Sequence, residues 1–148
     1  MKKVVVGGTF DIFHIGHEKI LEEGKSRGRL LIGLTSDQMA QKTKGRPVQD
    51  FDIRRKIVQN YILYKYGKKA EIRKIEDEFG FAVKEDLDFI IVSPETEKRA
   101  VLINQKRADL KKPPLEIIKI EFVLAEDGKP ISSTRINNKE IDRSGRPL

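Results

Sequence analysis

The stretch KVVVGGTFDIFHIGHEKI, residues 3–20, decides how the rest of the chain is read. Its first four residues are dominated by β-branched valine, the side chain that packs best on a pleated surface, so they open as a strand. Gly7 and Gly8 follow at once, where the missing Cβ permits unusual torsions and lets a ligand approach the backbone. Gly16 then precedes a segment, His17 to Arg27, with apolar residues at helical spacing. Strand, glycine turn and helix start in this order form the opening unit of an α/β sheet.

Working outward, the same strand signal recurs in RLLIGL (29–34), AEIRKI (70–75), LDFIIV (87–92) and LEIIKI (115–120). Helical spacing returns in Phe51–Tyr66 and Glu95–Asp109, and Pro113 and Pro114 stop the latter. Strand and helix alternate. That alternation predicts an α/β fold: a Rossmann-like, doubly wound parallel five-stranded sheet with helices on both faces, in a single domain over residues 1–148. The tail 142–148 is expected to be mobile. In such sheets ligands sit beyond the carboxyl ends of the strands, which directs attention to residues 7–16, 35–50, 93–98 and 121–134.

Composition narrows the chemistry. The 148 residues contain no cysteine, which excludes disulfides, thiolate catalysis and cysteine-bound metal. No run is long and apolar enough to span a bilayer, and charge and glycine interrupt the N-terminus too early for a signal peptide, so a cytoplasmic protein is expected. Thirty basic against 23 acidic residues leave a net charge of +7, which suits a phosphate-rich small ligand or, less specifically, nucleic acid. Nucleic-acid binders interleave aromatics with basic groups; here aromatics are 7% of the chain and tryptophan is absent, so no nucleic-acid partner is expected. Nor does the sequence point to a membrane or an obligate protein partner.

The only two histidines, His14 and His17, stand together in the loop after the first strand. Imidazoles beside a helix N-terminus and a hydroxyl, Thr9, suit an anion. Two imidazoles with no cysteine and no evident third ligand make a poor zinc shell. The GKS at 24–26 is not a phosphate-binding P-loop, since that pattern needs a glycine where Lys19 stands; it reads as the end of a helix. Near the C-terminus, ISSTRI (131–136) places Ser132, Ser133 and Thr134 at a helix N-terminus, with Arg135 as a charged donor. QKTKGRP (41–47) supplies Lys42, Lys44 and Arg46 after the second strand.

GGTFDIFHIGH (7–17) and ISSTRI, in this order at opposite ends of the chain, resemble the two signatures of the HIGH nucleotidyltransferase superfamily. The resemblance implies in-line attack of a phosphate oxygen on the α-phosphorus of a nucleoside triphosphate, with pyrophosphate released, no covalent enzyme intermediate, and Mg2+ carried by the triphosphate rather than by protein side chains. It implies that His17 donates to the α-phosphate in the transition state and that His14 holds the nucleotide's phosphates. Thr9 contacts the acceptor phosphate, the backbone at Gly8 and Phe10 meets the nucleotide, and Ser132, Ser133, Thr134 and Arg135 meet the outer phosphates. A lysine, Lys44 or Lys42, bridges acceptor and α-phosphate.

The loop after the fourth strand, VSPETEKRAVLINQKR (92–107), is similar to the archaeal and eukaryotic type of phosphopantetheine adenylyltransferase. That resemblance offers Ser93, Thr96, Lys98 and Asn104 to the nucleotide, leaves the roles of Arg99 and Arg107 open, and makes ATP and 4′-phosphopantetheine the substrates. The alternatives are other members of the superfamily. Glycerol-3-phosphate cytidylyltransferases carry R-T-E-G-I-S-T-T where this chain has EDGKPISSTRI. Nicotinamide mononucleotide adenylyltransferases open G-R-F-x-P, and the archaeal FMN adenylyltransferase lacks the VSPET pattern.

Overall fold

A computed structural model describes residues 1–148. Five strands form its sheet: β1 (Lys3–Gly8), β2 (Arg29–Thr35), β3 (Glu71–Ile75), β4 (Phe89–Val92) and β5 (Glu116–Lys119). They lie in the order β3-β2-β1-β4-β5, every pair parallel. The helices are α1 (Ile15–Arg27), α2 (Asp37–Lys44), α3 (Phe51–Tyr66), α4 (Glu97–Asp109) and the short α5 (Ser133–Asn137). All five expected strands and all three expected helices are present.

The alternation of β1 sorts its valines between two cores. Val4 and Val6 pack with Leu21, Val58 and Ile62 beneath α1 and α3. Val5 packs with Leu87, Ile90, Ala100 and Ile103 beneath α4. Both faces of the central strand are thus covered, as parallel sheets require, and each buried valine contributes about 1.5–3 kcal/mol. The chain builds β1, β2 and β3 in one direction, then crosses back to place β4 and β5 on the other side of β1. The reversal leaves a crevice between the carboxyl ends of β1 and β4, where the loops after Gly8 and Val92 diverge.

Gly24, the glycine of the GKS triplet, is buried inside α1. A Cβ there would stand 2.8 Å from Leu30 Cδ1 and 3.2 Å from Val6 Cγ2, so this glycine lets α1 lie close on the sheet. The sequence is silent on α2, whose residues fall in the loop expected over 35–50. Its eight residues bury only Ala40, too narrow a stripe to register as periodicity, but Ser36 caps its start and Gly45, in the left-handed conformation, ends it.

Residues 142–148, expected to be mobile, turn back on themselves: Asp142 N–H donates to Arg146 O at 2.9 Å, and Ile141 pairs with Pro147. Arg143 O accepts from Ile15 N–H at 3.3 Å, and Gly145 O from Glu126 N–H at 2.9 Å. Ile141 joins Ala125 and Ile131 in a small third core against Ile15. A polar, glycine-containing tail signals a turn as readily as disorder, and only the tertiary partners distinguish the two. No helix is long and apolar enough to cross a membrane.

Candidate active site

His14 is the N-cap of α1. Its Nδ1 accepts from Gly16 N–H at 3.0 Å, while its own backbone N–H donates to His17 Nδ1 at 3.1 Å. The two rings stack, centroids 3.8 Å apart, and Phe10 and Phe13 close over His17 at 5.1 and 5.4 Å. Gly16 is required by this arrangement, since a Cβ would meet His14 Cε1 at 2.8 Å and Nδ1 at 3.0 Å. Because both Nδ1 atoms accept, each neutral ring carries its proton on Nε2. Burial lowers the His14 pKa to about 4, helped by the positive charge of Lys44. Burial, His14 and Lys44 push that of His17 well below the usual imidazole value. The pair is therefore neutral at pH 7 and offers Nε2–H donors. At the helix N-terminus expected to suit an anion, Gly16 N–H is already taken by the His14 ring.

Two lobes of one cleft meet at this pair. The first, about 340 Å³, is lined by Gly8, Thr9, Phe10, Thr35, Thr43, Thr96, Lys98 and Arg99. The second is lined by His14, Gly16, Glu121, Phe122, Ser132 and Ser133. Both share His17, Ile20, Lys44, Ser93 and Glu95. The two signature segments, far apart in sequence, thus face one another across the cleft. Thr9 Oγ1 accepts from Thr35 Oγ1 at 3.0 Å, and both residues line the first lobe. Lys44, the last residue of α2, reaches the junction, and Lys42 lines a neighbouring polar hollow with Ser36, Gln38 and Glu76. Geometry separates two lysines that the sequence leaves equivalent.

Several expected site residues are employed elsewhere. Asn104 lies away from the cleft, its amide clamping Leu115 through Asn104 Nδ2 to Leu115 O at 3.0 Å and Leu115 N–H to Asn104 Oδ1 at 2.8 Å, which fixes the entry to β5. Arg135 pairs with Asp127 and with Glu140, the latter at 3.2 Å, and donates to Pro130 O at 2.9 Å, so its guanidinium closes the 125–130 turn rather than lining the cleft. Thr134 is exposed outside both lobes. Ser132 caps α5 by accepting from Arg135 N–H at 3.1 Å. Thr96 and Lys98 line the Thr9 lobe, not the one holding Ser132 and Ser133. Of the two undecided arginines, Arg107 is buried and donates to Ala82 O, Glu85 O and Pro113 O at 2.8 Å each, a structural clamp. Arg99 lines the first lobe, the polar hollow and an apolar pocket with Phe79, Phe81 and Ile103.

Two residues escape the sequence reading. Arg54 is fully buried and donates to Thr9 O and Thr35 O, both at 2.9 Å, and to Gln49 O at 2.7 Å, with Asp37 as its ion-pair partner at 2.9 Å. It ties together the carboxyl ends of β1 and β2. Within the sequence of α3 nothing marks it, because a helix face rich in charge ordinarily faces water. Glu95, the only carboxylate shared by the two lobes, sits inside the VSPET run, where nothing in the sequence gives it a role of its own.

The chain is similar to known proteins over nearly its whole length. The cytidylyltransferase-like family model matches residues 5–139. A phosphopantetheine adenylyltransferase from Archaeoglobus fulgidus is 47% identical over 145 residues, 97% of this chain and 97% of its own. Another, from Methanosarcina mazei, is 47% identical over 99% of this chain and 97% of its own. A crystal structure of a protein of unknown function from Archaeoglobus fulgidus superposes with a TM-score of 0.76 at 41% identity, over 81% of this chain and 89% of that one. With the family model spanning most of its length and its relatives matching it end to end, the chain belongs to the cytidylyltransferase-like family, in its phosphopantetheine adenylyltransferase branch.

Proposed function

We propose that this chain transfers the adenylyl group of ATP to the phosphate of 4′-phosphopantetheine, giving dephospho-coenzyme A and pyrophosphate, a step of coenzyme A synthesis. The observation that carries the reading is the meeting of two lobes at His17 and Lys44, one lined by Thr9 and Thr35, the other by Ser132 and Ser133. The triphosphate occupies the second lobe and the acceptor phosphate the first. An acceptor phosphate oxygen then forms its bond to the α-phosphorus as the bond to the β-phosphate oxygen breaks, and pyrophosphate leaves with the electron pair. No enzyme group need take a proton, because the attacking phosphate is already ionised.

Catalysis on this scheme is alignment plus charge stabilisation. The neutral Nε2–H of His17 donates to the α-phosphate oxygens as their charge rises; Lys44 bridges acceptor and α-phosphate. Mg2+ enters as part of the ATP substrate and neutralises charge on the triphosphate. Pyrophosphate release measured over 4′-phosphopantetheine, FMN, nicotinamide mononucleotide and glycerol-3-phosphate tests the reading. 4′-Phosphopantetheine is expected to give the highest kcat/KM, and preference for any other acceptor overturns it.

A further inference from the structure

The backbone between the first strand and the histidines is under strain. Phe10 and Ile12 adopt positive φ, 51° and 47°, and for a β-branched isoleucine this left-handed conformation is a true outlier. Such strain persists only where surrounding contacts over-determine it. Here they converge on the residue between, Asp11, whose carboxylate is 1% exposed. Asp11 Oδ2 accepts from Arg46 Nη1 at 2.7 Å and Oδ1 from Gln49 N–H at 3.1 Å, and Ile12 N–H donates to Gln49 Oε1 at 3.2 Å. The segment 46–49 is thereby zipped to the strained turn.

Arg46 reaches in two further directions. It follows Gly45, the cap of α2, and so lies two residues beyond Lys44. Its Nη2 donates to Ser133 Oγ at 3.4 Å, and its Nε is buried without a partner. One guanidinium fork therefore links the loop that presents Thr9 and the histidines, the helix end that carries Lys44, and the serine across the cleft. Arg46 itself lines neither lobe. We propose that Arg46 is a positioning residue that holds these three parts of the site in register, so that Lys44 and His17 converge on the same phosphate. The proposal deepens the adenylyl-transfer reading and rests on it for the identity of the reaction.

The fork is the testable feature. Arg46→Lys keeps a cation beside the buried Asp11 but, as a single ammonium, cannot span Asp11 and Ser133 together. The expected result is a melting temperature within about 3 °C of the wild type, kcat lowered at least about tenfold, and KM for 4′-phosphopantetheine changed less than about threefold. MgATP affinity, measured by calorimetry without acceptor, should weaken severalfold. Ser133→Ala should weaken ATP binding on its own, and the double variant should lose no more than Arg46→Lys alone. For Arg46→Ala, added methylguanidinium should recover part of the lost turnover. Full activity in Arg46→Lys, additive losses in the double variant, or a loss explained by unfolding would each overturn the proposal. A wild-type protein that binds MgATP yet ignores 4′-phosphopantetheine would instead sink the acceptor assignment, and the calorimetric comparison would still decide the role of Arg46.

Discussion

Replacing His14 with asparagine isolates the consequence of burying an imidazole at a helix start. In the folded chain His14 holds a pKa of about 4 against an ordinary value of 6.5, because burial disfavours its charged form. A base whose pKa falls on folding stabilises the fold above its ordinary pKa, and that stability drains away as pH drops from 6.5 toward 4. From the two values, the linkage withdraws about 2 kcal/mol by pH 5 and about 3 kcal/mol by pH 4 relative to pH 7. The side chain introduced by His14→Asn keeps an oxygen able to accept from Gly16 N–H and is a good N-cap, but it cannot titrate. In urea unfolding at pH 7.5, 6 and 5, the wild type should therefore lose about 2 kcal/mol more than His14→Asn between the two ends of the range. All carboxylates are common to both proteins and cancel in the difference. Parallel pH dependences would refute the claim that burial keeps this ring neutral.

Four further variants probe the site. His17→Asn should lower kcat about 10²–10³-fold, as loss of a transition-state donor does, while the calorimetric Kd for MgATP moves only severalfold; an equal loss in both would assign His17 to binding. Lys44→Met should cost at least about tenfold in kcat/KM, the effect of losing one charge-assisted contact, and Lys42→Met should stay near wild type; the reverse order in steady-state assays would contradict the placement of Lys44 at the junction. Gly16→Ala must push the His14 ring off its cap, so thermal unfolding should show a destabilisation of about 1–2 kcal/mol together with reduced turnover, and an undisturbed variant would show that the ring has room to spare.

The sheet was legible because each strand is a short β-branched run and each long helix carries helical spacing. α2 was not, since it buries a single alanine and is defined by its caps, Ser36 and Gly45, more than by its faces. The histidine turn and the pairing of the two signatures were visible as residue types in a recognisable order. The fates of Asn104 and Arg135 were not: an amide or guanidinium reads the same in sequence whether it meets a ligand or a neighbouring carbonyl, and only the fold supplies Leu115 and Asp127 as partners. Arg54 was hidden for the same reason, and so was the role of Arg46 among the basic residues of 41–47, since their partners are backbone carbonyls or a distant buried carboxylate.

In the proposed reaction the innermost phosphorus of ATP is the one transferred. Incubating the protein with Mg2+, 4′-phosphopantetheine and ATP labelled either at the α- or at the γ-phosphate reads this directly. α-Label is expected in dephospho-coenzyme A and γ-label in pyrophosphate only; γ-label in the organic product, or no transfer of α-label, would contradict the proposed reaction.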